Sequence, residues 1–399
     1  MIIGYGSNNY NYKRNIVGQV DGYRYRKVYD LFSAMRAINR WFKGNSPKQM
    51  TFLNQYNDLG LNSVGVLHFW NVVSHGRTPW VTTFESELPR FSAVTDPPIH
   101  DGVPDYAEAA NDRSVQKAIE AMASPFCKRL LALSACSAAM QRELLACFPA
   151  QRAAIEAKLE VLHPPQKLEV NSFSEKRMSM DGPITFMFVG AAFHRKGGLE
   201  TIETLHSLRN ESGYDINLVI VSSLRIDSYA TGETVKDIVA ARHFINQNAD
   251  WITYHDGLPN PEVLKLMRRA HVGLLPTYAD TYGYSVLEFQ AAGCPVISTN
   301  VRALGEINND SMGWLIDVPR NRLGEGLHYC SLEDRTALGR AIRAGIKRAV
   351  DEIYGDRHIV AAKSERSIAN IRDNHDPARF SERLRLIYLS AAAHGVGHN

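Results

Sequence analysis

The sequence predicts an α/β protein of two domains, each a parallel sheet flanked by helices. With 399 residues the chain is too long for one ordinary hydrophobic core, so two domains are expected. Short apolar runs alternate with amphipathic stretches along both halves, and this alternation is typical of parallel sheets. A polar stretch over 166–183 indicates the interdomain linker. We therefore place the two domains at 1–178 and 179–376.

Strand and helix patterns follow one another in both halves. In the second half, strands are predicted at 184–189, 216–222, 251–255 and 272–275, with helices at 198–209, 235–247 and 261–269 between them. In the first half, strands are predicted at 62–70, 80–84, 130–135 and 158–163. A last amphipathic helix is predicted at 377–392.

The composition excludes several classes of protein. Hydrophobic residues make up 45% of the chain and charged residues 22%, which is the balance of a folded globular protein. No apolar run approaches the roughly 18 residues that a membrane-spanning helix needs. The first residues predict a strand and a turn instead of a signal peptide. The five cysteines are scattered without a CxxC pair, which favours buried thiols in a reducing cytoplasm over a metal site.

Positive charge is concentrated in the region 11–48. Nine cations stand against Asp21 and Asp30, so nine minus two gives a net charge of +7, and aromatic residues lie among them. Such a region can rest on an anionic membrane surface, or it can be a solvated face whose aromatic side chains point into the core. Nucleic acid is disfavoured because no nucleic-acid motif accompanies the charge. The cations are Lys13, Arg14, Arg24, Arg26, Lys27, Arg36, Arg40, Lys43 and Lys48.

The most informative segment runs from Pro276 to Thr299. An apolar strand leads into a loop that contains Asp280, and a helix that begins after Gly283 carries Glu288. The N–H groups of residues 284–286 are expected to line the N-terminus of this helix, where unpaired donors and the helix dipole favour an anion. Two carboxylates beside an anion site suit a ligand with phosphates and many hydroxyl groups, as in a nucleotide sugar.

This segment resembles the signature of the retaining GT-B glycosyltransferases of the family numbered four, also called group 1. The signature has two glutamates separated by seven residues, with Phe-Gly between them; here Asp280 replaces the first glutamate and Tyr282 the phenylalanine. Gly283, Glu288 and the following Gly-x-Pro-Val match as they stand. The resemblance implies two Rossmann-like domains whose parallel sheets face a central cleft. It also implies that the helix at 377–392 packs back on the first domain and that no metal ion is required.

A second motif, from Gly190 to Gly198, follows the predicted strand at 184–189. A glycine-bounded loop with adjacent cations at the start of a helix suits a diphosphate, because arginine offers a planar fork and lysine a point charge. The family pattern has an arginine directly after the first glycine, and here that position is Ala191. We expect Lys196 and Arg195 to hold the donor diphosphate, with Arg195 supplying the missing guanidinium. A pair of solvated loop cations is the alternative.

The resemblance also implies the roles of the other donor-site residues. Glu288 is expected to accept hydrogen bonds from the nucleotide ribose, and Asp280 to contact hydroxyls of the transferred sugar. A helix cap is the alternative for Asp280. The nucleobase is expected beside the strand end at Tyr254. The remaining candidates line the sugar and the phosphates: Gly190, Tyr282, Gly283, Tyr284 and Ser285.

Candidates for the acceptor side lie in the first domain. The strand at 80–84 resembles the family strand that ends in Thr-x-His, and Glu85 stands where histidine is common. A carboxylate there can stabilise positive charge on the reacting carbon or orient the acceptor hydroxyl. A loop acid that caps a turn is the alternative. Further acceptor candidates follow or end other strands of this half: Gly6, Ser7, His68 and Asn71.

Together with the family resemblance, which implies a retaining and metal-independent reaction, these observations predict a cytoplasmic glycosyltransferase without a cofactor, with the inner face of the membrane as a further location. Its substrates would be a UDP- or GDP-sugar that donates a hexose-type sugar and a hydroxyl of a glycan or lipid-linked saccharide, as in surface polysaccharide or glycoconjugate synthesis. Two alternatives remain. One is a nucleotide-sugar epimerase of the same fold, and the other is a catalytically degenerate subunit that binds sugar nucleotides, suggested by Ala191 and Asp280.

Overall fold

The computed structural model describes residues 1–43, 53–95, 102–328 and 331–393. The chain divides into two units, the first comprising Met1–Pro165 with His375–Asn399 and the second Gln166–Asn374. Each unit contains a six-stranded sheet in which neighbouring strands pair in parallel. Parallel strands need crossover connections, and helices provide most of them here. The predicted α/β fold class is therefore confirmed.

Among the described residues, six strands form the sheet of the first unit, and two more form a separate short ladder. They are β1 (Ile2–Tyr5), β2 (Arg24–Lys27), β3 (Gln55–Tyr56), β4 (Val66–Trp70), β5 (Val73–Ser74), β6 (Trp80–Phe84), β7 (Cys127–Ala132) and β8 (Leu159–Val161). The sheet order is β2-β1-β4-β6-β7-β8, and β3 pairs with β5. The central strands β4 and β6 are buried along their whole length, which explains their nearly continuous apolar sequences.

Helices of the first unit include seven from the N-terminal part and the last helix of the chain. The seven are α1 (Tyr10–Asn15), α2 (Leu31–Lys43), α3 (Ser92–Thr95), α4 (Tyr106–Ala109), α5 (Arg113–Ala123), α6 (Ala135–Leu145) and α7 (Pro149–Glu156). Short polar caps start several of them: Asp112 accepts from two N–H groups in the first turn of α5, and Ser134 accepts from Ser137 in α6.

The sheet of the second unit has a strand order that changes direction in its middle. Its strands are β9 (Ile184–Val189), β10 (Ile216–Val221), β11 (Ile252–His255), β12 (Val272–Leu275), β13 (Val296–Thr299) and β14 (Trp314–Ile316), in the order β11-β10-β9-β12-β13-β14. Since β9 and β12 are parallel neighbours, their carboxyl ends lie side by side at one edge of the sheet. The connections from these two strands lead in opposite directions along the sheet.

The helices of the second unit cover its sheet, and the last helix returns to the first unit. The former are α8 (Gly198–Glu211), α9 (Val235–Gln247), α10 (Asn260–Met267), α11 (Tyr284–Ala291), α12 (Leu304–Ile307), α13 (Leu332–Gly355) and α14 (His358–Asn374). The last is α15 (Pro377–Ala393), whose Leu384 and Tyr388 share a buried cluster with Ile3 and Val66. This burial removes apolar surface of both elements from water and holds α15 on the first sheet.

The segment 166–176 belongs to the second unit, so the structural division falls before the predicted boundary at 178. Lys176 Nζ donates hydrogen bonds to the carbonyl oxygens of Ala270, Ala292 and Gly293 at 2.7, 3.0 and 3.1 Å. Three carbonyl partners fix this ammonium group firmly. The polar composition that predicts a linker does not reveal these contacts, which is why the predicted boundary lies too late.

The region 11–48 contains α1, β2 and α2, while residues 44–48, including Lys48, lie outside the described residues. Tyr23 and Tyr25 pack against the buried cluster of the first unit, whereas Tyr29 and Trp41 are 85% and 83% exposed. The aromatic residues therefore divide between the two alternatives that the sequence leaves open. None of the helices in the described ranges is long and apolar enough to cross a membrane.

Candidate active site

Two loops meet where the strand order of the second sheet changes direction. The β9 corner (residues 190–197) connects β9 to α8, and the β12 corner (residues 276–283) connects β12 to α11. The strands β10 and β11 continue on one side of β9, and β12 to β14 continue on the other. Open parallel sheets bind ligands outside the carboxyl ends of their strands at such a switch point. The topology alone therefore makes these two corners the candidate site.

Backbone contacts join the β9 corner to the β12 corner. Gly197 has a φ of 78°, and a Cβ atom there would lie 2.0 Å from the carbonyl oxygen of Pro276. The Tyr278 N–H donates to the carbonyl oxygen of Arg195 at 2.9 Å, and the Thr277 hydroxyl donates to the same oxygen at 3.0 Å. Only glycine combines a left-handed conformation with this close approach. The two corners are thus held as one structural element.

An ion pair links the side chains of Lys196 and Asp280 across the two corners. These side chains are only 17% and 12% exposed, so the alternative of a solvated cation is wrong for Lys196. Burial by itself raises the pKa of the Asp280 carboxyl, but the Lys196 ammonium and the Arg195 guanidinium outweigh it and lower that pKa below its ordinary value. Asp280 is therefore a carboxylate at neutral pH. Gly190 lies beside the lysine stem, because a Cβ atom there would be 3.0 Å from Lys196 Cγ.

The helix α11 begins without a side-chain cap. Its N-cap is Gly283, with a φ of 93°, and a Cβ atom at this position would lie 2.3 Å from Leu304 Cδ2. The helix-cap alternative for Asp280 is therefore wrong. The Val286 N–H already donates to the Gly283 carbonyl oxygen at 2.9 Å, so the expected row of donors at residues 284–286 loses one member.

The remaining predicted residues of the β12 corner and of the first turn of α11 have different exposures. Tyr282 is only 1% exposed, and its ring centroid lies 5.3 Å from that of Tyr284. A ligand can therefore meet Tyr282 through its backbone alone. Ser285 is half-buried in the first turn of α11.

The guanidinium of Arg195 has protein partners on several sides. Its Nε donates to Asp227 Oδ2 at 2.9 Å, its Nη1 donates to the Ala279 carbonyl oxygen at 2.7 Å, and it lies over the ring of Tyr229. Burial tends to lower the pKa of Arg195, but Tyr229, Asp280 and Asp227 raise it overall. The solvated-cation alternative is wrong for Arg195 as well, since its side chain is 14% exposed. These contacts hold the Arg195 guanidinium in place against the β12 corner.

Glu288 lies in the second turn of α11 and is only 7% exposed. The Asn260 side-chain amide, at the start of α10, donates to Glu288 Oε1 at 3.2 Å. A carboxylate accepts several hydrogen bonds at once, so this contact orients Glu288 without excluding further donors. The sequence did not predict Asn260. Its only signal was its position at the start of a helix, before Pro261.

A cluster of Tyr278, Glu200 and Arg343 connects the β12 corner to neighbouring helices. The Tyr278 hydroxyl donates to Glu200 Oε1 at 2.9 Å, and Arg343 Nη2 lies 3.3 Å from the same oxygen. Glu200 is 4% exposed, and burial raises the pKa of its carboxyl despite the nearby Arg343 charge. Burial also raises the pKa of Tyr278, and the neighbouring Glu200 raises it further. These three residues anchor the corner to α8 and α13.

Tyr254 lies on the edge strand β11, and two strands, β10 and β9, separate it from β12. Its hydroxyl donates to the Ser222 carbonyl oxygen at 2.8 Å and to Asp256 Oδ1 at 3.1 Å. Burial raises the pKa of this phenol. The hydrogen bonds that are described connect Tyr254 to the end of β10 and to its own loop, not to Lys196 or Asp280.

In the first unit, Asn71 and Glu85 directly follow the neighbouring strands β4 and β6 and exchange two hydrogen bonds. The Glu85 N–H donates to Asn71 Oδ1 and the Asn71 amide donates to Glu85 Oε1, both at 3.2 Å. Arg90 forms an ion pair with the same carboxylate. Asn71 has a φ of 56°, a conformation that Asn tolerates better than most residues. This pair holds the Glu85 carboxylate in place at the carboxyl ends of its strands.

A cavity of about 920 Å³ in the first unit contains three of the four acceptor candidates. Gly6, Ser7 and Asn71 line it, together with polar side chains such as Asp58 and Asn62. A Cβ atom at Gly6 would lie 2.9 Å from the Tyr12 hydroxyl, so this position must stay small. Cavities of this size are typical small-molecule sites.

The fourth acceptor candidate, His68, is a correction to the sequence interpretation. Its side chain is fully buried, with Nδ1 2.7 Å from the Tyr388 hydroxyl and Nε2 2.8 Å from Thr83 Oγ1. Burial lowers its pKa to about 3, so the ring is neutral. Both nitrogen atoms have protein partners, and His68 therefore joins β4, β6 and α15 inside the core instead of meeting a ligand.

No group of three or more His, Cys, Asp or Glu residues is arranged to hold a metal ion within the ranges that the structure describes. Positive charge in the candidate site comes from the side chain of Lys196, which forms an ion pair with Asp280. A fixed ammonium near a phosphate stabilises the negative charge that develops when the phosphate leaves. The chemistry of the described residues thus suits a diphosphate leaving group.

The chain has the GT-B fold, because each of its two units contains a parallel sheet and its structure is similar to solved structures of that fold. The pair of Lys196 and Asp280 lies at the switch point of the second sheet. Residues 170–344 match the family model described as "Glycosyl transferases group 1". Most of the second unit lies within this match.

Several curated proteins and solved structures are similar to the chain. A D-inositol 3-phosphate glycosyltransferase of Paenarthrobacter aurescens is 30% identical over 170 residues, 40% of each protein. A glycogen synthase of Mycobacterium tuberculosis is 25% identical over 202 residues, 50% of this chain and 46% of that protein. The chain thus spans less than half the length of these curated relatives. The structure of Anabaena HepE in complex with UDP has a TM-score of 0.54 at 11% identity, covering 98% of this chain and 99% of that one.

Proposed function

We propose that the chain is a retaining, metal-independent glycosyltransferase of the cytoplasm. It transfers a hexose-type sugar from a UDP- or GDP-sugar to a hydroxyl of a glycan or lipid-linked saccharide. The ion pair between Lys196 and Asp280 carries this proposal, because it puts a cation and a carboxylate together at the switch point of the sheet. The group 1 family match of residues 170–344 supports the reaction class.

In this proposal Lys196 binds the diphosphate of the donor. An ammonium group has three N–H donors, so Lys196 can keep its contact with Asp280 and still donate to phosphate oxygens. The Lys196 charge then offsets the negative charge that grows on the leaving diphosphate. Arg195 acts indirectly, by holding Asp227 and the Ala279 carbonyl in place around the β12 corner. Asp280 accepts hydrogen bonds from hydroxyls of the transferred sugar.

Glu288 binds the ribose of the nucleotide in this proposal. Its carboxylate is oriented by Asn260, and the ribose hydroxyls donate to it in addition, because a carboxylate accepts several hydrogen bonds at once. The N-terminal half-turn of α11, beginning at Gly283, offers its backbone to the sugar and the phosphates. The proposal includes both UDP and GDP as the nucleotide, and the structure of HepE, which has a similar fold, is a complex with UDP.

The first unit binds the acceptor in this proposal, in the 920 Å³ cavity lined by Gly6, Ser7 and Asn71. Glu85, which Asn71 and Arg90 hold in place, orients the acceptor hydroxyl or stabilises positive charge on the reacting carbon. In a retaining reaction that proceeds on one face of the sugar, a phosphate oxygen of the leaving group takes the acceptor proton. No separate protein base is then required.

Binding of the donor is the first test. Titration calorimetry with UDP, GDP and their hexose derivatives is expected to give saturable binding for one of the two nucleotides. This binding should be the same with and without a chelator such as EDTA. Glu288→Gln should weaken that binding about tenfold to a hundredfold, because a charge-assisted hydrogen bond to ribose is lost. The exposed Glu262→Gln in α10 is the matched control and should leave affinity unchanged. No binding of either nucleotide would refute the proposal.

A second test distinguishes transfer from the two alternatives. The donor is incubated with and without an array of saccharide acceptors, and the products are followed by NMR. The proposal predicts acceptor-dependent release of the nucleoside diphosphate and a product whose anomeric configuration equals that of the donor. Isomerisation of the donor alone would indicate an epimerase. Donor binding without turnover on any acceptor would indicate a sugar-nucleotide-binding subunit.

A further inference from the structure

A row of exposed apolar side chains follows one face of α2. Leu31, Met35, Ile38 and Trp41 are spaced by four, three and three residues, which places them on the same side of the helix. All four are exposed, and Trp41 is 83% exposed. Single exposed apolar residues are ordinary on a protein surface, but a contiguous row marks an interaction site.

A neighbouring loop extends this row. Tyr29, Leu59 and Leu61 are also exposed, and the loop is tied to the start of α2 through Asn62. The Tyr29 N–H donates to Asn62 Oδ1 at 3.1 Å, and Asn62 Nδ2 donates to the Tyr29 carbonyl oxygen at 2.8 Å. We call the four α2 residues and these three residues the apolar patch. The loop residues of the apolar patch are held in place by these hydrogen bonds, so the patch has a defined structure.

Charge beside the apolar patch is positive. Arg24, Arg26 and Lys27 are exposed on the edge strand β2, directly before α2. The two acids between residues 24 and 61 have internal partners: Asp30 accepts from N–H groups in the first turn of α2, and Asp58 accepts from the Tyr56 hydroxyl. In this stretch seven cations minus two acids give a net charge of +5.

We propose that the apolar patch and the cations of β2 bind the surface of an anionic lipid bilayer, with α2 lying in the plane of the interface. An amphipathic helix with one apolar face inserts at the level of the headgroups, and exposed tyrosine and tryptophan are typical anchors there. Exposed lysine and arginine beside it attract anionic lipids. A neutral protein surface would satisfy the apolar side chains but leave the positive charge without a partner.

The position of the apolar patch gives this binding a consequence for the acceptor. Leu31, Leu59 and Leu61 also line the 920 Å³ cavity of the first unit. A bilayer held at the patch therefore lies at the rim of that cavity. If the cavity takes the acceptor, which rests on the proposed function, a saccharide anchored in the same membrane reaches it without leaving the interface.

Tryptophan fluorescence offers a direct test. Of the five tryptophans, Trp41 is exposed, whereas Trp70, Trp80, Trp251 and Trp314 are at most 6% exposed. Quenching by acrylamide therefore reports mainly on Trp41. Vesicles of phosphatidylcholine mixed with phosphatidylglycerol should protect the full chain from acrylamide, and brominated phosphatidylcholine in those vesicles should quench it. Trp41→Phe should remove both signals while vesicle binding persists.

Co-sedimentation with the same vesicles measures the binding itself. Ile38→Ser with Trp41→Ser should weaken sedimentation at least about tenfold, because two apolar anchors are lost. The matched control is Val235→Ser with Val239→Ser, which removes two exposed apolar side chains from α9 in the second unit and should bind as wild type does. Vesicles of phosphatidylcholine alone should bind at least about tenfold less than the anionic vesicles.

Several results would overturn the inference. Equal binding by the α2 variant and the α9 control would exclude the apolar patch as the contact. Absence of vesicle binding by the wild-type chain would exclude the bilayer, and self-association lost in the α2 variant would then identify a second copy of the chain as the occupant. These assays require no turnover and no nucleotide, so their outcome is independent of the proposed glycosyl transfer.

Discussion

Gly197 and the carbonyl oxygen of Pro276 are so close that a Cβ atom at position 197 would lie 2.0 Å from that oxygen. This contact presses the β9 corner against the β12 corner. Gly197→Ala should therefore both strain the backbone at a φ of 78° and force the two corners apart. We expect a loss of about 3 kcal/mol in the free energy of unfolding, measured by urea denaturation, and a large loss of nucleotide affinity.

Gly213→Ala is the matched control for this prediction. Gly213 has a φ of 68°, and a Cβ atom there would meet nothing within 4 Å. Only the backbone strain applies, so the expected cost is about 1 kcal/mol with nucleotide affinity unchanged. If both variants lose the same stability and bind nucleotide equally, the contact between the two corners has no functional importance.

The fold of the second unit could be predicted from local patterns in the sequence. The observed β9, β12 and α9 have the predicted bounds of 184–189, 272–275 and 235–247. Strands buried on both faces give continuous apolar runs that a short window detects. In the first unit the predicted strand at 62–70 begins only at Val66, because Asn62 bonds to the backbone of Tyr29 instead.

The charged edge strand β2 was not predicted either, because its sequence Arg-Tyr-Arg-Lys has no apolar run. In the candidate site, sequence motifs identified Lys196 and Glu288. Lys196 lies in the loop between β9 and α8, and Glu288 lies in α11, so each has a fixed position relative to a neighbouring strand or helix. Their supporting residues were missed, since each lies far along the chain from its partner. Asn260 is 28 residues from Glu288, and Glu200 is 78 residues from Tyr278. Such pairs depend on the tertiary fold, which a single sequence does not encode in any local pattern.

Lys196→Ala should reduce kcat about a thousandfold, because charge on the leaving diphosphate is no longer offset. Nucleotide affinity should fall much less than kcat if the role is specific to the transition state. Lys196→Arg keeps the charge and the partner of Asp280, so it should fold as wild type does and retain part of the activity. The exposed Lys265→Ala in α10 is the control. Transfer at the wild-type rate by Lys196→Ala would show that the phosphate assignment is wrong.

The pH dependence of stability should report the pair of Lys196 and Asp280. Since the folded chain lowers the pKa of Asp280, the unfolded chain binds this proton at a higher pH than the native chain does. The stabilisation is thus fully present above the ordinary aspartate value of about 4, and it is lost as the pH falls through the lowered native value. Asp280→Asn removes this contribution. Its stability deficit relative to wild type should be largest near neutral pH and shrink on acidification.

Urea denaturation at a series of pH values measures this difference. Asp250→Asn provides the control, because its side chain is 66% exposed and contacts only the surface residue Arg209 among the described ion pairs. That variant should keep the wild-type dependence on pH. Parallel curves for wild type and Asp280→Asn would mean that folding does not lower the pKa of Asp280.

Tyr278→Phe tests the support below the β12 corner. The Tyr278 hydroxyl is a hydrogen-bond donor to the carboxyl of Glu200, which is only 4% exposed. Removing that donor deprives a buried carboxyl oxygen of one hydrogen bond, so the free energy of unfolding should fall by about 1–3 kcal/mol. Tyr214→Phe removes a similar bond, to Asp351 Oδ1 at 3.2 Å, from a more exposed place on the second unit and should cost less than about 0.5 kcal/mol. Equal losses in the two variants would show that Glu200 does not depend on Tyr278 for its partner. A larger loss in Tyr278→Phe, together with weaker nucleotide binding, would establish that this buried cluster holds the corner in its binding conformation.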